Sequence, residues 1–199
     1  MFRSVSVRSA AAAVLAGLTL VVAATPAPAQ QKLVPAQSSV GFAIKQMGVP
    51  VEGQFKAFDA QVAFDPAKLA TSHIAFTVDT GSATMGSKEA DSEMPKPVWF
   101  NVVKFPKATF ESGAIKALGG GKYDVAGKLT IKGNSRDVVV PVALTQTGSG
   151  AAMATTATGT LTIPRLAFKV GENEWADTSL VADEVQVKFK LALTGVSKI

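Results

Sequence analysis

The stretch from Val181 to Leu193, VADEVQVKFKLAL, sets Val185, Val187, Phe189, Leu191 and Leu193 at alternate positions, with Val181 on the same parity and Gln186, Lys188 and Lys190 between them. Successive side chains of a strand point to opposite faces, so this is a strand with one buried and one solvated face. The same period recurs upstream. Val40, Phe42 and Ile44 share a parity, as do Phe58, Ala60, Val62 and Phe64, and then Ile74, Phe76 and Val78. Tyr123, Val125, Leu129 and Ile131 continue it, followed by Val138, Val140, Val142 and Leu144. With residues 109–116 and 155–163 the pattern predicts about eight strands.

Turn signals separate them: Met47-Gly48, Asp65-Pro66, Gly119-Gly120-Gly121, Lys132-Gly133-Asn134 and Gly148-Ser149-Gly150. Short connections pair consecutive strands antiparallel, and eight such strands without exposed edges close into a barrel. The expected fold is therefore an all-β, eight-stranded antiparallel barrel with one short helix near residues 87–94, ended by Pro95 and Pro97. Phe55 lies on the odd parity and Phe58 on the even one, so a bulge or bend between them should curl residues 51–64 around the barrel.

The first 29 of the 199 residues carry a different signal. Arg3 and Arg8 precede an apolar run over residues 10–24, and Ala27-Pro28-Ala29 offers an A-x-A cleavage site. That run is shorter than the roughly 20 residues a spanning helix needs. The expectation is a cleaved export leader and a mature domain over residues 30–199. The chain has no cysteine, which removes thiol nucleophiles, thiolate metal sites, disulfides and a lipid-anchored cysteine. Removing Arg3 and Arg8 takes two from the 20 basic residues against 15 acidic, leaving a net charge of +3. The remaining lysines are dispersed, so nucleic acid is not an expected partner.

Catalytic groupings are sparse. His73 is the single histidine and sits on the solvent parity of its strand, which argues against a serine–histidine–acid arrangement or a metal site. Glu172, Glu174 and Asp177 could serve an exported hydrolase or isomerase, but acids sharing one loop are poorly placed to oppose each other across a cleft. One tyrosine and two tryptophans are too few for the aromatic girdles of an outer-membrane barrel, so stable membrane insertion is not expected. Large apolar side chains outside the regular strands, Trp99, Phe100, Phe105, Phe168 and Trp175, must instead be buried against something.

Four segments then carry a resemblance over essentially the whole mature length. They are VEGQFKAF at 51–58, with its G-x-F-x-x-F; VWFNVVKFPKATFES at 98–112; YDVAGKLTIKG at 123–133; and GTLTIPRLAFKVGENEW at 159–175. In this order and spacing the chain resembles the YceI-like family of periplasmic polyisoprenoid-binding proteins. The resemblance implies a lipocalin-like barrel whose interior holds an isoprenoid or other alkyl-chain lipid, of quinone or polyprenyl type, without enzymatic activity or cofactor. It also implies an indirect link to membrane cytochromes of the b561 type. The oligomeric state, a homodimer included, is left open. Two departures stand out: Lys169 where the family commonly has glycine, and Ser38-Ser39 in place of a histidine–serine pair.

An isoprenoid tail has no hydrogen-bonding capacity, so its pocket should be aliphatic and aromatic. The expected liners are Phe42, Phe55, Phe64, Phe76, Trp99, Phe110, Leu129, Val140, Phe168 and Phe189. Residues 163–175 should form a lid over one end, with Trp175 folded inward and Arg165 either paired with an acid such as Asp177 or facing a head group.

Overall fold

The computed structural model describes residues 31–199; the expected leader, residues 1–29, lies outside the described residues. Eleven strands make one antiparallel sheet: β1 (Lys32–Leu33), β2 (Ser39–Gln46), β3 (Val49–Phe55), β4 (Phe58–Ala63), β5 (His73–Asp79), β6 (Ala83–Thr84), β7 (Lys107–Gly119), β8 (Lys122–Ile131), β9 (Asn134–Thr147), β10 (Ala154–Pro164) and β11 (Glu184–Thr194). Their spatial order is β4-β5-β7-β8-β9-β10-β11-β2-β3-β6, and β1 pairs with β11. The count exceeds the expected eight because β1 and β6 are two-residue pieces and residues 51–64 split into β3 and β4. With those set aside, the eight predicted strands are all present.

The split curls the sheet. β3 pairs with β2 near one end of the strand order and β4 with β5 at the other, so Lys56-Ala57 joins the two ends covalently. Ser82 satisfies the exposed backbone of that bend, its carbonyl accepting from Lys56 N at 3.2 Å and its hydroxyl from Ala57 N at 3.0 Å. A two-residue step shifts the parity, so Phe55 on one side and Ala60, Val62 and Phe64 on the other all reach the interior. A second seam is closed by a side chain. Gln31 Nε2 donates to Phe64 O at 2.6 Å and its Oε1 accepts from Phe64 N at 2.8 Å, the two bonds a neighbouring strand residue would make.

Two hairpins turn where the sequence places them. Met47 and Gly48 join β2 to β3 with φ of 48° and 80°, and Lys132 and Gly133 join β8 to β9 with φ of 49° and 72°. Positive φ at both central residues matches the right-handed twist of the flanking strands. Helix α1 (Lys88–Glu93) begins at Ser87, whose hydroxyl accepts from Ala90 N, and stops at Met94 before Pro95, as predicted.

The core is in two parts. Phe64, Tyr123, Val125, Val140, Ala157, Leu193 and Val196 pack together, while Ile131, Ile163, Phe168 and Val170 form a second group toward the other ends of β8 and β10. Phe42, Phe76, Phe110 and Phe189 face inward as well, yet they are only half-buried, because they border open internal space rather than packed neighbours.

Candidate functional site: an apolar cavity inside the barrel

That space is a cavity of about 750 Å³, within the roughly 300–1,000 Å³ typical of ligand pockets. All twelve residues singled out in the sequence line it: Phe42, Phe55, Phe64, Phe76, Trp99, Phe110, Leu129, Val140, Arg165, Phe168, Trp175 and Phe189. The strands supply their parity-matched faces, and two loops supply the rest. Aromatic rings form a connected wall. Phe42 and Phe55 have centroids 5.3 Å apart, Phe55 and Phe100 6.0 Å, and Trp99 and Trp175 5.5 Å. Among the described residues Trp99 Nε1 is the one buried side-chain polar atom without a hydrogen-bond partner.

Several lining residues were not predicted. Tyr123 shares the inward parity of β8 and could have been included on that ground; Phe100 belongs to the same irregular aromatic segment as Trp99. The polar rim was harder to find. Gln46, from the tip of β2, and Ser87, Glu89, Ser92 and Glu93, in and next to α1, border the cavity. The backbone N–H of Glu89 and the Ser87 hydroxyl hold the Glu89 carboxyl below its usual range, so it is ionised at neutral pH. Glu93 pairs with Lys96, both largely exposed.

Arg165 does not pair with Asp177. It is 2% exposed and donates all five of its N–H groups to main-chain carbonyls. Nε reaches Ala182 O at 2.9 Å, one terminal nitrogen reaches Val170 O and Gly171 O at 2.9 Å each, and the other reaches Trp175 O and Val181 O at 2.6 Å each. Burial pushes its pKa down and the nearby Asp183 charge partly opposes this, but a guanidinium stays protonated through the physiological range. With every donor occupied, none is left for a head group. Asp177 instead accepts from Ser179 N and Oγ at 2.9 and 2.7 Å, which lowers its pKa.

The segment expected to act as a lid is pinned. Phe168 is 1% exposed within the second core group, and Asn134 Nδ2 donates to its carbonyl at 3.1 Å. Buried Lys132 donates to Lys169 O and Glu172 Oε2, both at 2.7 Å. Gly171 N and Glu172 N both donate to Val98 O. Residues 163–175 thus close one part of the barrel through these contacts. The same bonds engage Glu172, while Glu172, Glu174 and Asp177 all lie off the cavity wall.

Both departures from the family pattern have a structural role. Lys169 has a φ of 57°, the left-handed region where glycine is unstrained, and caps the turn of residues 165–168. Ser38 Oγ donates to Val34 O at 2.8 Å and accepts from Ala192 N at 2.9 Å, fastening the start of β2 to the end of β11.

The chain is 30% identical over 106 residues to a UPF0312 protein of Vibrio cholerae, covering 53% of this chain and 56% of the relative. It is 35% identical over 102 residues to a UPF0312 protein of Ectopseudomonas mendocina, covering 51% and 53%. These matches span about half the length of the curated relatives. Among solved structures, BcnA of Burkholderia cenocepacia is similar with a TM-score of 0.75 and 48% identity, over 80% of this chain and 98% of that one. A polyisoprenoid-binding domain from Saccharophagus degradans, implicated in plant cell wall breakdown, shares the fold with a TM-score of 0.67 at 14% identity, over 83% and 98%. A family model for the YceI-like domain matches residues 31–193, nearly all of the described barrel, and the chain belongs to the YceI-like family.

Proposed function

We propose that this protein is an exported, periplasmic binding protein that holds an isoprenoid or other long-chain amphiphile in its barrel cavity, for transport or storage. The observation that carries this reading is a cavity of about 750 Å³ walled mainly by aliphatic and aromatic side chains, with Ser87, Glu89, Ser92 and Glu93 at α1 and Gln46 at the tip of β2 among its few polar residues. Burying a chain there gains about 0.8 kcal/mol per CH₂ before ordering costs, with no polar contact required. The polyisoprenoid-binding domain of Saccharophagus degradans, which has the same fold, supports the ligand class.

The rim favours a neutral head group. Among the described residues Arg165 is the one cation on the cavity wall, and its donors are spent on carbonyls. A diphosphate or carboxylate would instead meet Glu89, and Glu93, whose partner Lys96 lies off the cavity wall. A carbonyl or hydroxyl head is free of that penalty.

Native mass spectrometry of protein purified from its own host tests the reading. A stoichiometric bound mass in the isoprenoid or long-chain range is expected; protein that carries none and takes up none when offered polyprenols would refute it. Polyprenol should bind more tightly than the corresponding diphosphate, and the gap should narrow in the double variant Glu89→Gln, Glu93→Gln. Release by osmotic shock checks the location.

A further inference from the structure

Three of the phenylalanines lining the cavity lie across glycines of a neighbouring strand. Phe42 covers Gly53, Phe110 covers Gly127 and Phe189 covers Gly159. A Cβ added to Gly53 would stand 2.3 Å from Phe42 Cζ, one on Gly127 2.6 Å from Phe110 Cζ, and one on Gly159 2.4 Å from Phe189 Cζ. The rings therefore occupy the slots that side chains would fill. Two of the pairs are direct register partners, Phe42 with Gly53 and Phe189 with Gly159. None of the three glycines has a positive φ, so the backbone does not require glycine at these positions; the space does.

We propose that Gly53, Gly127 and Gly159 gauge the bore of the cavity, and hence the length and girth of the chain it admits, by letting Phe42, Phe110 and Phe189 lie flat along the wall. The inference rests on the lipid-binding reading and names what sets its selectivity. Any side chain at these glycines must lift a ring off the wall, and the open side of each ring is the cavity. Gly53 isolates the effect. The three atoms nearest its added Cβ all belong to the Phe42 ring, whereas at Gly127 and Gly159 a main-chain oxygen is among the three, Glu111 O at 2.3 Å and Pro141 O at 2.4 Å. Substitution at 127 or 159 would disturb the sheet itself; substitution at 53 moves a side chain.

The test measures affinities for farnesol, geranylgeraniol and solanesol by Trp fluorescence quenching in wild type, Gly53→Ala and the double variant Phe42→Leu, Gly53→Ala. Gly53→Ala should lower the solanesol-to-farnesol affinity ratio by about tenfold, and the double variant should return it toward wild type. An unchanged ratio, or one the double variant does not restore, overturns the gauge. If Gly53→Ala fails to fold, Phe42→Leu alone decides, with a raised ratio expected and an unchanged one contrary. If the wild type binds none of the alcohols, the lipid reading fails by itself. A crystal structure of Gly53→Ala then still reads the gauge directly. Phe42 turned into a smaller cavity supports it, and a ring left in place over a shifted strand refutes it.

Discussion

All five hydrogen bonds of Arg165 go to backbone carbonyls, and that determines what its removal does. Arg165→Met would leave five carbonyls, contributed by Val170, Gly171, Trp175, Val181 and Ala182, without their donor. Unpaired buried acceptors cost about 1–3 kcal/mol each, so a loss of about 3 kcal/mol or more is expected in chemical denaturation. Asp177→Asn should change stability by about 0.5 kcal/mol or less, because Asn keeps the acceptor that Ser179 uses. Equal losses in the two variants would restore the ion-pair reading. The sequence shows that an arginine beside a proline in an aromatic loop is unusual, but it cannot show the partners. Main-chain carbonyls carry no residue identity, so an arginine that uses only those leaves no matching acid to find. Side-chain parity is legible for the opposite reason: Phe42, Phe76, Val140 and Phe189 follow from period-two alternation alone and all reach the cavity.

Helix α1 shows the same limit in an element. Its boundaries follow from Ser87 and Pro95, but a helix of six residues has too little period to reveal which side docks, and so its rim acids went unassigned. What fastens it is Asp91, which accepts from Thr84 Oγ1 at 2.6 Å and Met85 N at 2.7 Å and ties the helix to β6. The Thr84 hydroxyl first, then the Met85 N–H, lower the Asp91 pKa in the folded state. A depressed carboxyl stabilises the fold above its unfolded pKa, and that contribution is lost as pH falls through the folded value. Hydrogen exchange at the Met85 amide should therefore accelerate as pH drops below about 4, after correction for intrinsic rates. Asp91→Asn should remove that step, and its persistence would exclude Asp91 as the source. The bend between β3 and β4 was half-legible: the parity change at Phe55 and Phe58 marks it, while its role in joining the two ends of the sheet depends on strand order.

At the scale of the molecule, the two core groups leave the inward faces between them bordering the cavity, so stability and occupancy are linked. A ligand that binds only the folded barrel adds about 2.7 kcal/mol at a free concentration 100 times its Kd, worth about 5–10 °C in Tm for a chain of this size. Solvent-delipidated protein should melt lower by that order and recover on addition of polyprenol; melting that ignores both treatments would count against a lipid in the cavity. The Gln31 clip carries a different liability, one of chemical ageing. The amide can both donate to and accept from Phe64, and deamidation would leave a carboxylate that only accepts, facing the Phe64 carbonyl it once bonded. Gln31→Glu mimics that lesion. It should be less stable than wild type near neutral pH and regain stability on acidification, because the protonated acid can donate again. A single lost amide nitrogen would then unfasten the barrel along the line where no strand ladder holds it.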